Sequence, residues 1–115
     1  MEVQTAVAKL IHLSPSVRVA TVCDMNGKLV FSARSRRVKN LLSKNESMIS
    51  LQSAARSWKI RKKLERKLGA CKYVLAEYRN VKRITMPAGR NHLFFISVTA
   101  SYDHNKIIRK VRTLR

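Results

Sequence analysis

The chain has 115 residues, 45% of them hydrophobic, and its 25 Lys and Arg residues against six Asp and Glu give a formal net charge of +19. This length and apolar content predict one globular domain over residues 1–115, and three Gly and two Pro leave little material for a disordered tail or linker. No apolar run approaches the length of a membrane-spanning helix and the N-terminus has no leader pattern, so we expect a cytoplasmic protein without a transmembrane segment.

The first predicted elements are a helix and a β-hairpin. Apolar residues at helical spacing predict an amphipathic helix over residues 2–12. Two apolar runs, residues 17–25 and 28–35, then flank the dipeptide Asn26-Gly27. This dipeptide best tolerates the two positive φ angles of a type I′ turn, so the runs are predicted to form a tight hairpin.

A two-residue loop would fix the register of this hairpin. It would pair Cys23 with Val30 and Val22 with Phe31, and it would place Leu29 on the same face as Val22. Both faces of the hairpin are largely apolar, which is typical of a sheet that is covered on both sides. We therefore expect helices on each side of the sheet.

A long helix is predicted next. Ser43 and Glu46 have the spacing of a capping box, and Gly69 is expected to follow the last helical residue, Leu68. The apolar stripe changes sides after Trp58, so either the second half meets another surface or the helix kinks there. The first stripe contains Met48, Leu51, Ala55 and Trp58, and the second contains Ile60, Leu64 and Leu68.

The remaining sequence predicts three strands and a final helix. Residues 71–79 and 81–86 are rich in β-branched and aromatic residues, and residues 92–100 form the most apolar run of the chain. Such a continuous run is expected at the centre of a sheet. Ser101 or Asp103 is expected to cap the last helix.

This order of elements, α-β-β-α-β-β-β-α, resembles the roadblock and dynein light-chain family within the profilin-like and longin-like group. Residues 21–30, with Asp24 and Gly27 before an apolar second strand, are similar to that family's hairpin. Small archaeal proteins of the same sandwich type are also similar. The resemblance implies an α+β fold in which a five-stranded antiparallel sheet carries the long helix on one face and the terminal helices on the other.

The same resemblance implies homodimers joined through the long helix and its adjacent strand. Such dimers would explain the second apolar stripe, so we expect Ile60, Leu64 and Leu68 at the dimer interface. It also implies an adaptor role toward small GTPases and motors.

The sequence offers little for catalysis. Its carboxylates are scattered, and His12, His92 and His104 lie far apart, so we expect neither an enzyme nor a metal site or cofactor. Cys23 and Cys71 are isolated thiols, which fits a reducing compartment, although a disulfide between them stays open.

The cations predict a polyanionic partner. Seven of them fall within residues 56–67, where Glu65 alone is available for pairing. A solvated helix face is the ordinary explanation, but the overall excess favours a DNA- or RNA-binding protein making sequence-tolerant phosphate contacts, associated with the nucleoid or a ribonucleoprotein. The expected contacts are Arg56, Lys59, Arg61, Lys62, Lys63, Arg66 and Lys67 in the helix, Arg34, Arg36, Arg37 and Lys39 before it, and Arg109, Lys110 and Arg112 near the C-terminus. The alternative is a dimeric adaptor for an acidic protein or an anionic membrane surface.

Overall fold

The computed structural model describes residues 2–36 and 38–114, and in this part of the chain the elements follow the predicted order. They are α1 Val3–Ile11, β1 Val17–Asp24, β2 Leu29–Arg34, α2 Lys44–Lys62, α3 Glu65–Leu68, β3 Val74–Glu77, β4 Val81–Pro87, β5 His92–Thr99 and α4 His104–Thr113. The five strands form one antiparallel sheet with the order β2-β1-β5-β4-β3. Within residues 2–36 and 38–114, no helix combines the length and apolarity needed to cross a bilayer.

Strand β5 lies at the centre of the sheet, as its continuous apolar run predicts. Ile96 pairs with Ala20 of β1 on one side and with Ile84 of β4 on the other. One face of the sheet packs against α1 and α4 in a cluster that includes Leu10 and Ile107, both fully buried. The opposite face receives α2, so the predicted two-sided α+β sandwich is confirmed.

Helix α2 contacts its face of the sheet through a much smaller cluster. Ala55 and Trp58 are buried against Cys23 and Leu93, and Leu51 packs at the edge of this group. The rest of that sheet face, below the first turns of α2, is covered incompletely. This partial cover leaves a groove between the sheet and the segment that leads into α2.

Side-chain caps fix the starts of the main helices. The Ser43 N–H donates to Glu46 Oε1 at 2.8 Å, and the Glu46 N–H donates to Ser43 Oγ at 3.1 Å. The predicted capping box is therefore present. Asp103 rather than Ser101 caps α4, because its Oδ1 accepts from the Asn105 N–H at 3.0 Å.

The hairpin turn differs from the predicted type I′ turn. Asp24 Oδ1 accepts hydrogen bonds from the backbone N–H groups of Asn26 and Lys28, at 2.8 and 2.9 Å. The Gly27 N–H donates to the Asp24 carbonyl at 3.0 Å, and Gly27 has a φ of 82° whereas Asn26 has no positive φ. The Asp24 carboxylate thus organises a longer turn in which only the glycine adopts the left-handed conformation.

A β-bulge follows from this longer turn. Val22 pairs with Phe31 as predicted, but Cys23 pairs with Leu29 instead of Val30. Because the bulge adds one residue to β2, it shifts the side-chain alternation, and Leu29 lies on the α2 side of the sheet rather than beside Val22.

The predicted long helix is divided. It continues past Trp58 and ends at Lys62, and α3 follows after a short break before Gly69, which has a φ of 82°. The N–H groups of Lys63 and Leu64 donate to carbonyls three residues earlier, so the last turn of α2 tightens. Repulsion between like charges at i, i+4, such as Lys59 with Lys63, disfavours a continuous helix here.

Candidate protein-interaction surfaces

The outward face of α2 carries an apolar stripe that the protomer leaves exposed. Ile49 and Ile60 lie three helical turns apart on the side opposite Trp58, with 54% and 56% of their surfaces exposed. Leu64 and Leu68, at 48% and 79%, continue the exposed apolar surface along the break and α3. We call these four residues the outer stripe.

Three members of the outer stripe, Ile60, Leu64 and Leu68, are the residues predicted at the dimer interface, whereas Ile49 was not predicted on either face of the helix. The spacing of eleven residues between Ile49 and Ile60 is the signal that would have revealed it, because eleven residues make about three turns of an α-helix.

Strand β3 lies beside this helical segment in the chain and forms one edge of the sheet. It pairs with β4, and the paired residues run from Val74 with Thr85 to Glu77 with Lys82. The order of strands leaves the other side of β3 open in the described structure. β3 is shorter than predicted, since Cys71 and Tyr73 precede the strand. A short open edge of this kind is a surface on which another strand can pair.

Most carboxylates of the chain accept backbone hydrogen bonds. Four of the six, Glu2, Asp24, Glu46 and Asp103, accept backbone N–H hydrogen bonds at helix starts or in the hairpin turn. These hydrogen bonds lower the pKa of each carboxyl below its ordinary value; for Glu2 the largest effect comes from the Thr5 hydroxyl. Since the chain has only six carboxylates for 25 Lys and Arg residues, most of its positive charge has no acidic counterpart within the chain.

The predicted nucleic-acid contacts do not form one surface. One group lies in α2, the break after it and α3, the segment that packs on one face of the sheet through Trp58: Arg56, Lys59, Arg61, Lys62, Lys63, Arg66 and Lys67. Arg109, Lys110 and Arg112 belong to α4 on the opposite side. Arg34, Arg36 and Lys39 lie at the end of β2 and in the connection to α2, and Arg37 lies outside the described residues.

Some of these cations have intramolecular roles. Lys59 Nζ donates to Asn26 Oδ1 at 2.6 Å, which holds α2 on the hairpin turn, and Arg34 Nη1 donates to Asn40 Oδ1 at 2.7 Å. Lys62 Nζ reaches the Arg90 carbonyl at 3.4 Å. Part of the basic surface therefore positions α2 and the loop that precedes it.

A groove of about 1450 Å³ opens between the sheet and the segment that leads into α2. Its floor includes Thr21 and Phe95, and its apolar wall includes Leu41, Met48 and Leu51. Its cations are Arg18, Lys28, Arg34, Lys39, Lys44, Arg79 and Arg83, and its described lining contains no Asp or Glu. The groove is thus both apolar and positively charged.

Arg83 is a partly buried cation of this groove. Its guanidinium carbon lies 4.4 Å from the centre of the Phe95 ring, and its Nη1 donates to Ser50 Oγ at 2.8 Å. Burial lowers the pKa of the Arg83 guanidinium from its ordinary value, while nearby Tyr78 acts in the opposite direction. No sequence pattern predicts this arrangement, because its three residues come from β4, β5 and α2.

The two thiols are not joined by a disulfide in the described structure. Cys23 and Cys71 are free, and burial raises the pKa of the Cys23 thiol to about 11, with a smaller contribution from the charge of Asp24. Residues 2–36 and 38–114 contain no group of three or more His, Cys, Asp or Glu side chains able to hold a metal ion.

The element order and the sheet topology define an α+β sandwich, and solved structures share this fold. The chain is similar to the Roadblock/LC7 domain from Streptomyces avermitilis, with 11% identity over 99% of this chain and 92% of that one and a TM-score of 0.76. It is also similar to the gliding protein MglB from Thermus thermophilus, with 10% identity, 96% and 80% coverage and a TM-score of 0.79. An MglB structure described as a tetrameric arrangement matches with 12% identity, 96% and 83% coverage and a TM-score of 0.77.

No family profile matches the sequence, and no curated protein matches it either. The structural likeness establishes the roadblock fold, as the resemblance in the sequence implied, and the similarity to archaeal proteins stays a prediction. The prediction of a DNA- or RNA-binding protein is wrong: the structural neighbours are Roadblock/LC7 and Mgl proteins, and the basic groups are divided between opposite faces of the sheet. Net charge indicates a kind of partner surface, but it does not identify a class of partner.

Proposed function

We propose that this chain is a non-enzymatic, roadblock-like adaptor that forms a homodimer and binds an acidic protein partner. The observation that carries the proposal is the outer stripe, an apolar surface on a helix whose other side is already packed on the sheet. An adaptor of this kind needs no catalytic group. The extent of the domain, residues 1–115, and a cytoplasmic location stay predictions.

The dimer interface in this proposal combines the outer stripe with the open edge of β3. In a two-fold dimer each stripe residue meets the same surface of the partner, so every apolar contact occurs twice. Burying the exposed parts of Ile49, Ile60, Leu64 and Leu68 would contribute roughly 1–2 kcal/mol for each side chain. The neighbouring cations would remain at the rim, where solvent screens their repulsion.

The acidic partner is inferred from the charge that the fold leaves unneutralised. Carboxylates on a partner would reduce the self-repulsion of a chain with a net charge of +19 and would speed association. Small GTPases are the partner class implied by the roadblock resemblance, and they are included in this proposal as one candidate.

The proposed function is tested by isolating the tagged protein from its own cells after nuclease treatment and at about 0.15 M salt, where surface charges are screened beyond roughly 8 Å. We expect a defined complex with a stoichiometric acidic protein. Binding of the purified protein to vesicles of anionic lipid, without a protein complex, would replace the proposal with a membrane role. A purified chain with no stoichiometric partner and no dimer would refute it.

A further inference from the structure

We propose that the groove between the sheet and the start of α2 binds an acidic amphipathic helical segment of the protein partner. This inference rests on the proposed function and adds the site and the chemistry of the segment. The outer stripe and the groove are different surfaces, because the stripe points away from the sheet and the groove lies beneath α2.

The charge of the groove selects an acidic occupant. Seven cations line it, and its described lining contains no carboxylate to neutralise them. A second copy of this chain would bring the same surplus of cations, so it would not supply the missing negative charge. A segment rich in Asp or Glu would supply it.

The apolar wall of the groove requires that the same segment carry hydrophobic side chains. Leu41 exposes 59% of its surface and Met48 exposes 50%, although both lie on the groove wall. The loop that carries Leu41 is held in place by two arginines. Arg18 Nη2 donates to the Lys39 carbonyl at 3.1 Å, and Arg34 Nη1 donates to Asn40 Oδ1 at 2.7 Å. The apolar wall is therefore present before any partner binds.

Arg83 supplies an anchoring point for a carboxylate. Stacking on Phe95 and the hydrogen bond to Ser50 fix the orientation of its guanidinium. A guanidinium has five N–H donors, and a planar pair of them matches the two oxygens of a carboxylate. A carboxylate at this point would form a charge-assisted pair in a partly desolvated position.

The size of the groove favours a polypeptide segment over a small metabolite. Its volume of about 1450 Å³ exceeds the roughly 300–1000 Å³ that is usual for sites of small ligands. A helix with apolar residues at i, i+3, i+4 and i+7 and carboxylates between them presents both required chemistries on adjacent faces.

The test uses the full chain and two synthetic peptides of identical composition. One peptide has Leu at i, i+3, i+4 and i+7 with Glu elsewhere, and the other has the same residues in scrambled order. Fluorescence anisotropy measures the binding of each peptide. We expect the patterned peptide to bind at least about tenfold more tightly than the scrambled one, because only the first aligns its leucines with the wall.

Matched variants locate the binding site. Arg83→Gln and Arg109→Gln remove one positive charge each, but Arg109 is exposed on the opposite face of the sheet. We expect Arg83→Gln to weaken patterned-peptide binding about tenfold to a hundredfold and Arg109→Gln to change it less than about twofold. Leu41→Ser provides a second variant, since this exposed side chain contributes little to folding, and it should also weaken binding by about tenfold.

Equal binding of the two peptides would overturn the proposal, because charge alone would then explain the affinity. The proposal would also be overturned if Arg83→Gln and Arg109→Gln changed the affinity for the patterned peptide equally and Leu41→Ser left that affinity unchanged. If circular dichroism shows that Arg83→Gln is unfolded, the affinity of Leu41→Ser for the patterned peptide decides whether the proposal stands. A failure of the peptide test leaves the proposed function standing if the cellular complex with an acidic protein is found. The absence of that complex would refute the proposed function itself.

Discussion

Replacing Ile60 with serine is predicted to weaken the proposed dimer without unfolding the protomer. The protomer leaves 56% of Ile60 exposed. Complete burial of an isoleucine is worth about 1.5–3 kcal/mol, so burying the exposed part would contribute roughly 1–1.5 kcal/mol. Because a two-fold interface contains the residue twice, Ile60→Ser removes about 2–3 kcal/mol from dimerisation. The dimer Kd should therefore rise about 30-fold to 150-fold.

Serine is chosen because an aspartate at this position would attract the neighbouring cations Arg56 and Lys63 and obscure the loss of apolar contact. Sedimentation equilibrium over a range of protein concentrations measures the dimer Kd. Val30→Ser is the matched control, since Val30 is 47% exposed on β2 at the opposite edge of the sheet. Ile49→Ser should act like Ile60→Ser.

An equal change of the dimer Kd by Ile60→Ser and Val30→Ser would refute this interface. An unaltered protein that stays monomeric at all concentrations would refute it as well. Circular dichroism must show the same helix content in each variant. Such agreement is expected, because the side of α2 that packs on the sheet is unchanged.

Three further predictions concern stability and reactivity. Gly27→Ala should destabilise the fold by about 1–3 kcal/mol more than Gly89→Ala in thermal unfolding, since both have positive φ but only at Gly27 would a Cβ lie 2.5 Å from the backbone of α2. Cys71 should react with a thiol reagent before Cys23, because burial raises the pKa of the Cys23 thiol to about 11. The contribution of Cys23 to stability should fall as the pH rises from about 9 to 11, because in this range the thiol ionises in the unfolded chain but stays protonated in the folded one. The capping carboxylates have lowered pKa values, so their stabilisation should be complete above about pH 5 and be lost in acid unfolding titrations as the pH falls through their folded pKa values; equal stability at pH 3 and pH 6 would contradict this.

Local sequence signals predicted most of the fold because each had a direct physical cause. The apolar run of β5 required burial on both faces, and the Ser43–Glu46 pair required a helix start. The turn type was wrong because Asp24 supplies hydrogen bonds that the Asn26-Gly27 signal does not describe. The resulting bulge places Leu29 on the other face of the sheet. A strict alternation of side chains along the strand cannot predict this shift.

The candidate sites were less predictable because they depend on tertiary placement. The outer stripe was identified in part, since helical spacing reports which side chains share a face. The groove was not identified, because Arg83, Phe95 and Leu41 come together only when the loop before α2 lies against the sheet. The excess of positive charge gave a wrong prediction of nucleic-acid binding, because composition alone does not show how cations divide between the faces of a fold.

Native mass spectrometry of the complex isolated from cells tests the central claim most directly. We expect a species that contains two copies of this chain and an acidic protein, and that persists after nuclease treatment at about 0.15 M salt before transfer to a volatile buffer. A spectrum that contains only the single chain, with no dimer and no acidic protein, would contradict the account.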